Sequence, residues 1–160
     1  MSARSSHEHH FECRLTWIGA SRGPTRSYDA YDRSYRVEFE GKPPLVGSAA
    51  AVFRGDPALH NPEEWLVAAL SACHCLSYLA LAARAQLLVV AYEDRATGTM
   101  ARIDGKMRFR EVTLRPRVRL LPGSDVEQAR ALHEKAHADC FIASSVNFPV
   151  VNEPEIVEEA

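Results

Sequence analysis

The sequence predicts an α+β domain with antiparallel sheets packed around one long buried helix. Three observations point to it. Residues 61–84 carry the signs of a helix, with no fixed charge between Trp65 and Ala83. Alternating apolar residues on both sides of that stretch read as strands. A second amphipathic segment covers 125–139, and sheet layered on helix is how such segments bury their apolar faces.

The long helix has a well-marked start. Asn61 suits the cap, Pro62 the first helical position, and Glu64 completes an Asn-x-x-Glu capping box. Glu63 and Glu64 also favour the positive end of the helix dipole. Apolar residues then run round the whole circumference, which predicts burial on every side. Lipid is a poor solvent for this stretch. It carries Ser71, His74, Ser77 and Tyr78, and neither flank has a cluster of basic residues. The expectation is a protein core with no membrane partner, and with the Cys73 thiol held mid-helix.

At 160 residues the chain fits one domain. Residues 1–10, with His7, His9 and His10, read as a polar disordered tail, and 11–160 as the domain. Nineteen basic side chains against 21 acidic ones give no reason to expect a nucleic-acid partner. The start lacks the pattern of a signal peptide, so the expected compartment is the cytoplasm. There Cys13, Cys73, Cys75 and Cys140 serve as reactive or packing thiols, not as structural bridges.

Before the helix, Phe11, Cys13, Leu15 and Trp17 alternate with polar residues. They predict a half-buried strand with Cys13 on the core side. A turn over 19–25 contains Gly23-Pro24 and carries Arg22 towards Arg26. Tyr31 to Phe39 alternates again, as the second strand of a hairpin. Residues 41–60 read as loop, with a short extended piece over 50–53.

After the helix, 87–101 is extended, with Gly98 marking a bulge or a close approach. Asp104-Gly105 signals a hairpin turn. Over 106–121 the apolar parity changes between Met107/Phe109 and Val112/Leu114/Pro116/Val118/Leu120. A bulge near Arg110-Glu111 would keep both sets on the core face, and Pro116 suggests a free edge. Ser124, with Glu127, is the expected cap of the second helix. Its buried stripe runs through Val126, Ala129, Leu132 or His133, Ala136 and Cys140. A closing strand lies within 146–157.

Two constellations carry chemistry. His133-Glu134-Lys135-Ala136-His137 matches the His-Glu-x-x-His pattern of zinc hydrolases. Ala143 stands where a third histidine would extend that motif, and Lys135 puts a cation between the ligands. The match is read as accidental, and no metal is expected. The other constellation is Cys73 and Cys140, each on the apolar face of a helix. An arginine near the first hairpin could supply the field that makes a thiolate.

Asn61-Pro62-Glu63, Cys73 ten residues after that glutamate, and Ala136-His137-x-x-Cys140 beyond it resemble the OsmC/Ohr family of thiol peroxidases. The resemblance spans nearly the whole chain. It implies an intertwined α+β homodimer that reduces organic hydroperoxides at the subunit interface, with an external dithiol as reductant and no cofactor. Carried over, Cys73 matches the peroxide-attacking cysteine, Cys140 the resolving one, and Glu63 the glutamate at the helix start. Arg26 fits the family's arginine, with Arg22 the fallback. Glu63 lies about 15 Å from Cys73 along a straight helix, so it acts through an arginine, across the dimer or after a kink. His74 and Cys75 replace apolar neighbours, and Phe141 stands where proline often follows the second cysteine. A non-catalytic relative that binds a small apolar ligand would share the fold but have unreactive thiols.

Overall fold

The structure, a computed structural model, describes residues 8–158. His7 therefore lies outside the described residues, and 8–10 join no helix or strand. Backbone contacts divide the chain into two compact units, one ending at Glu64 and the other beginning at Trp65.

In the first unit β1 (Arg14–Trp17), β2 (Tyr35–Glu38) and β3 (Leu45–Gly47) form an antiparallel sheet in that order. The predicted hairpin is present, with Trp17 opposite Tyr35 and Arg14 opposite Glu38. Its burial differs from expectation. Every residue of β1 is exposed, and so is Cys13. Alternation tells which side chains share a face, but not whether a second layer covers it. Residues 51–53 form a 3-10 turn where an extended piece was expected, and the strand comes earlier, just after Pro43-Pro44.

The helix α1 (Pro62–Arg84) starts as predicted. The Glu64 N–H donates to Asn61 Oδ1 at 2.9 Å, and the Asn61 N–H donates to Glu64 Oε2 at 3.4 Å. Burial is confined to Leu70, His74, Tyr78 and Ala82, a stripe of four-residue steps. Leu76, on another face, is 69% exposed. The expectation of all-round burial is therefore corrected: one chain buries one stripe.

The second unit adds β4 (Val89–Asp94), β5 (Thr97–Ile103), β6 (Lys106–Leu114), β7 (Pro116–Leu120), α2 (Val126–Ala138), β8 (Val150–Asn152) and β9 (Glu155–Glu158). The sheets run β4-β7-β9 and β5-β6-β8. The closing segment supplies two strands, parallel to β6 and β7, so these sheets are mixed and not purely antiparallel. The stretch read as one strand over 106–121 breaks at Arg115 and changes sheet. Pro116 is buried and opens β7, a position where its missing N–H is tolerated, so it marks no free edge.

The predicted bulge is in place. Thr99 pairs with Glu111 and Met100 with Phe109, leaving Arg110 unpaired. Phe109 then packs with Val112, Leu114 and Leu70, whereas Met107 is 50% exposed. Gly98 is a close approach, since a Cβ there would meet Phe109 and Val67 at 2.7 Å. At the hairpin turn Asp104 and Gly105 both take positive φ, as a tight primed turn requires. The cap of α2 is Asp125 instead of Ser124: its Oδ1 accepts the Gln128 N–H at 2.8 Å. Ser124 Oγ donates to the Leu121 carbonyl at 2.6 Å.

A buried polar seam joins α1 to α2. His74 Nε2 and His133 Nδ1 lie 3.0 Å apart, with the two residues 0% and 2% exposed. The ring centroids are 5.3 Å apart and the planes 10° from parallel. Subtracting the 3.0 Å contact from 5.3 Å leaves about two ring radii, so the rings meet edge to edge in nearly one plane. The Tyr78 ring lies over His133 at 4.1 Å, and its hydroxyl donates to the Ala129 carbonyl at 3.2 Å. Leu87, Val118, Leu120, Leu132 and Ile156 enclose this end of the core.

Burial holds both histidines neutral. His74 is lowered to about 4, by burial and then by His137, against a smaller opposing pull from Asp94. His133 is lowered to about 3, by burial, then His74 and Arg130. The unfolded chain thus binds protons that the native chain refuses. Stability from this pair is complete above the ordinary histidine range and declines as pH falls from about 6.5 towards 4, by up to about 1.4 kcal/mol per pH unit for each ring. Urea unfolding between pH 7.5 and 4.5 should show this loss. His133→Leu alone should cost about 1–3 kcal/mol at pH 7, because it strands His74 Nε2 in the core. The His74→Leu/His133→Leu double variant should cost less than the sum of the two single changes and flatten the acid slope.

Candidate active site

The two cysteines that lie 67 positions apart (140 − 73) come together. Cys73 sits mid-way along α1, on the flank of its buried stripe, and is half-buried. Cys140 follows the end of α2 by two residues and is 1% exposed. The Cys73 thiol lies close enough to act on the Cys140 thiol.

A short turn fixes Cys140. Its N–H donates to the His137 carbonyl at 3.3 Å, and its own carbonyl accepts the Ser144 N–H at 3.0 Å. The Ala143 N–H points at Cys140 Sγ from 3.4 Å. Burial, followed by the Cys73 contact, pushes the Cys140 thiol up to about 11, against the smaller opposing effect of the Ala143 N–H. At neutral pH Cys140 is therefore a protonated thiol.

Cys75 has different surroundings. Burial and Asp94 raise its pKa. Asp94 ties this region together, accepting from Ser71 Oγ at 2.5 Å and from the Arg115 N–H at 2.7 Å.

Glu63 is in the first turn of α1, and its Oε2 is buried without a hydrogen-bond partner. It faces Tyr35, whose hydroxyl is raised first by burial and then by this carboxylate. Arg22 is held by Asp32 at 2.8 Å. Arg26 is exposed, its N–H donates to the Pro24 carbonyl, and among the described residues it forms no ion pair. The structure thus brings Cys73 to Cys140 but does not pair Arg26 with Glu63.

The histidines of the zinc-like motif have separate partners. His133 Nδ1 meets His74, and His137 Nδ1 meets Asn152 Nδ2 at 3.1 Å. Among the described residues no three His, Cys, Asp or Glu side chains are arranged to hold a metal. The sequence reading missed the partner of His74. The signal was available: His74 is four residues before Tyr78, on the stripe that faces His133.

The OsmC-like protein family model matches residues 55–154, which include both cysteines and the whole of α1 and α2. The chain belongs to the OsmC/Ohr family. An OsmC-like protein of unknown function from Vibrio cholerae is 34% identical, with a TM-score of 0.84 over 94% of this chain and 100% of its own. An organic hydroperoxide resistance protein from Elizabethkingia anophelis shares the fold at 19% identity and a TM-score of 0.69, over 96% of this chain and 99% of its own. The organic hydroperoxide resistance protein OhrB of Bacillus subtilis does so at 19% identity and 0.61, over 92% and 98%. No curated protein matched.

The thiol geometry has a direct chemical readout. Mild oxidation of the reduced chain with diamide should give a Cys73–Cys140 bridge as the main disulfide, mapped by peptide mass spectrometry. Iodoacetamide at pH 7 should label exposed Cys13 readily but reach Cys140 only after unfolding.

Proposed function

We propose that this chain is a thiol peroxidase that reduces organic hydroperoxides to alcohols. The observation that supports this most is the approach of two otherwise distant thiols, one half-exposed and one buried and protonated, in a member of the OsmC/Ohr family. Organic hydroperoxide resistance proteins share its fold.

In this reading the Cys73 thiolate attacks the distal peroxide oxygen. The O–O bond breaks, Cys73 becomes a sulfenic acid, and the departing alkoxide takes a proton to leave as the alcohol. Cys140 then condenses with the sulfenic acid: its sulfur bonds to Cys73, and its proton leaves with the hydroxyl as water. An external dithiol restores both thiols by exchange and is itself oxidised to a disulfide. No metal or organic cofactor takes part. A reducing cytoplasm is the proposed compartment, since it supplies such dithiols.

Arg26 is the proposed activator of Cys73, with Glu63 orienting its guanidinium. Two facts favour this choice over Arg22. Arg22 is already paired with Asp32, whereas among the described residues Arg26 has no acid partner and Glu63 Oε2 no hydrogen-bond donor. A homodimer is proposed as the working form. Its support is the uncovered apolar surface of the second unit, where Leu76 is 69% and Phe141 81% exposed.

Steady-state reduction of cumene hydroperoxide with a dithiol tests the assignment. Cys73→Ser should abolish turnover. Cys140→Ser should retain a single reduction and then accumulate sulfinic acid at Cys73, because the condensation that protects the first oxidation state is gone. Arg26→Ala should lower the rate at least tenfold and shift Cys73 alkylation to higher pH. Unimpaired turnover in Cys73→Ser would overturn Cys73 as the attacking thiol, and no turnover by the native chain would leave the non-catalytic apolar-ligand reading in its place. Sedimentation at micromolar concentration should give a dimer.

A further inference from the structure

The first unit contains a cleft of about 520 Å³ that the thiol chemistry does not use. Its size is in the range of small-ligand sites. Leu15, Trp17, Tyr31, Tyr35 and Ala49 make it largely apolar and aromatic, and Arg33 is the charged residue in its wall. Trp17 meets Tyr31 edge to face, with ring centroids 6.3 Å apart at 82°. The Trp17 ring is fixed by its N–H, which donates to the Asp32 carbonyl at 2.7 Å.

Arg33 is held rigidly. Its guanidinium carbon lies 4.1 Å from the Tyr31 ring centroid and 4.9 Å from that of Tyr28. One terminal nitrogen donates to the Tyr31 carbonyl at 3.0 Å and the other to the Tyr28 carbonyl at 2.6 Å. Those two bonds staple the loop, but a guanidinium has five N–H donors, so three remain. The charge is also unanswered. Both acids of this loop are committed elsewhere, Asp29 to Arg54 at 3.0 Å and Asp32 to Arg22 at 2.8 Å. Among the described residues Arg33 forms no ion pair. A staple alone needs hydrogen-bond donors and no positive charge.

We propose that this cleft binds a small aromatic carboxylate, with its ring against Trp17, Tyr31 and Tyr35 and its carboxylate on the Arg33 guanidinium. The walls select a flat ring, because tryptophan and tyrosine present both edges and faces to it. The preset fork selects a planar two-oxygen anion over a neutral or single-atom acceptor. The site lies wholly in the first unit and does not depend on the peroxidase reading.

Calorimetric titration of the full chain with 2-naphthoate and with neutral 2-naphthamide tests it. The acid should bind at least tenfold more tightly than the amide. Arg33→Gln should remove that preference. Because Arg33 also staples its loop, a second variant avoids the fold. Leu15 is 61% exposed on an edge strand, so Leu15→Glu places a like charge in the cleft with little packing lost. It should weaken naphthoate at least tenfold and leave naphthamide within about twofold, while Leu15→Lys should tighten naphthoate. Equal binding of acid and amide, no binding at millimolar ligand, or indifference to Leu15→Glu would overturn the proposal. So would a Leu15→Glu chain that changes from dimer to monomer, since the cleft would then belong to a second copy.

Discussion

The structure depends on the contact of α1 with α2 through His74 and His133. These two rings meet through one shared N–H in a space closed by Tyr78 and aliphatic side chains. A fully apolar seam would let the helices slide by a turn at small cost. A single in-plane hydrogen bond between buried rings sets both their rotation and their translation, because any slip leaves two more polar nitrogens without partners. The outer nitrogens, His74 Nδ1 and His133 Nε2, are already buried without partners. The seam therefore carries a cost, and what it provides is register. Cys73 neighbours His74 in sequence and Cys140 lies seven positions beyond His133, so the same register brings the two sulfurs together.

The parts of the fold that were legible in the sequence are those set by local chemistry. The Asn61–Glu64 box, the Asp104-Gly105 turn, the Arg110 bulge and the buried stripe of α2 each follow from a few neighbouring residues. What was not legible depends on partners far along the chain. The pairing of β8 with β6 and β9 with β7 joins segments some forty residues apart and uses short strands that two prolines disguise. The exposure of Cys13 and of one face of α1 depends on which surfaces are covered, and periodicity carries no information about that. At the candidate site, Cys73 and Cys140 could be chosen by helix face and by resemblance. The thiol state of Cys140 could not, because it results from burial and from the neighbouring sulfur.

The two units divide the polar work differently. In the first, acids and arginines pair off along exposed loops, in contacts that salt weakens and that contribute little each. The second has such surface pairs too, Arg115 with Glu153 and Arg117 with Glu155, and adds a buried contact, the histidines that bridge the helices. Interior contacts of this kind are insensitive to salt and sensitive to protonation.

The bulge at Arg110 has a consequence for how relatives are counted. Thr99 and Met100 are adjacent on β5, yet their partners Glu111 and Phe109 are two apart on β6. A chain lacking one residue here would run straight through the same ladder, with Phe109 and Val112 still facing the core. Length can therefore change by one at this point while both helices and both sulfurs stay where they are. The interval between the cysteines is then a property of the sheet that lies between them in sequence, and not a constant of their chemistry. A search that demanded a fixed interval would pass over chains whose thiols meet in the same way.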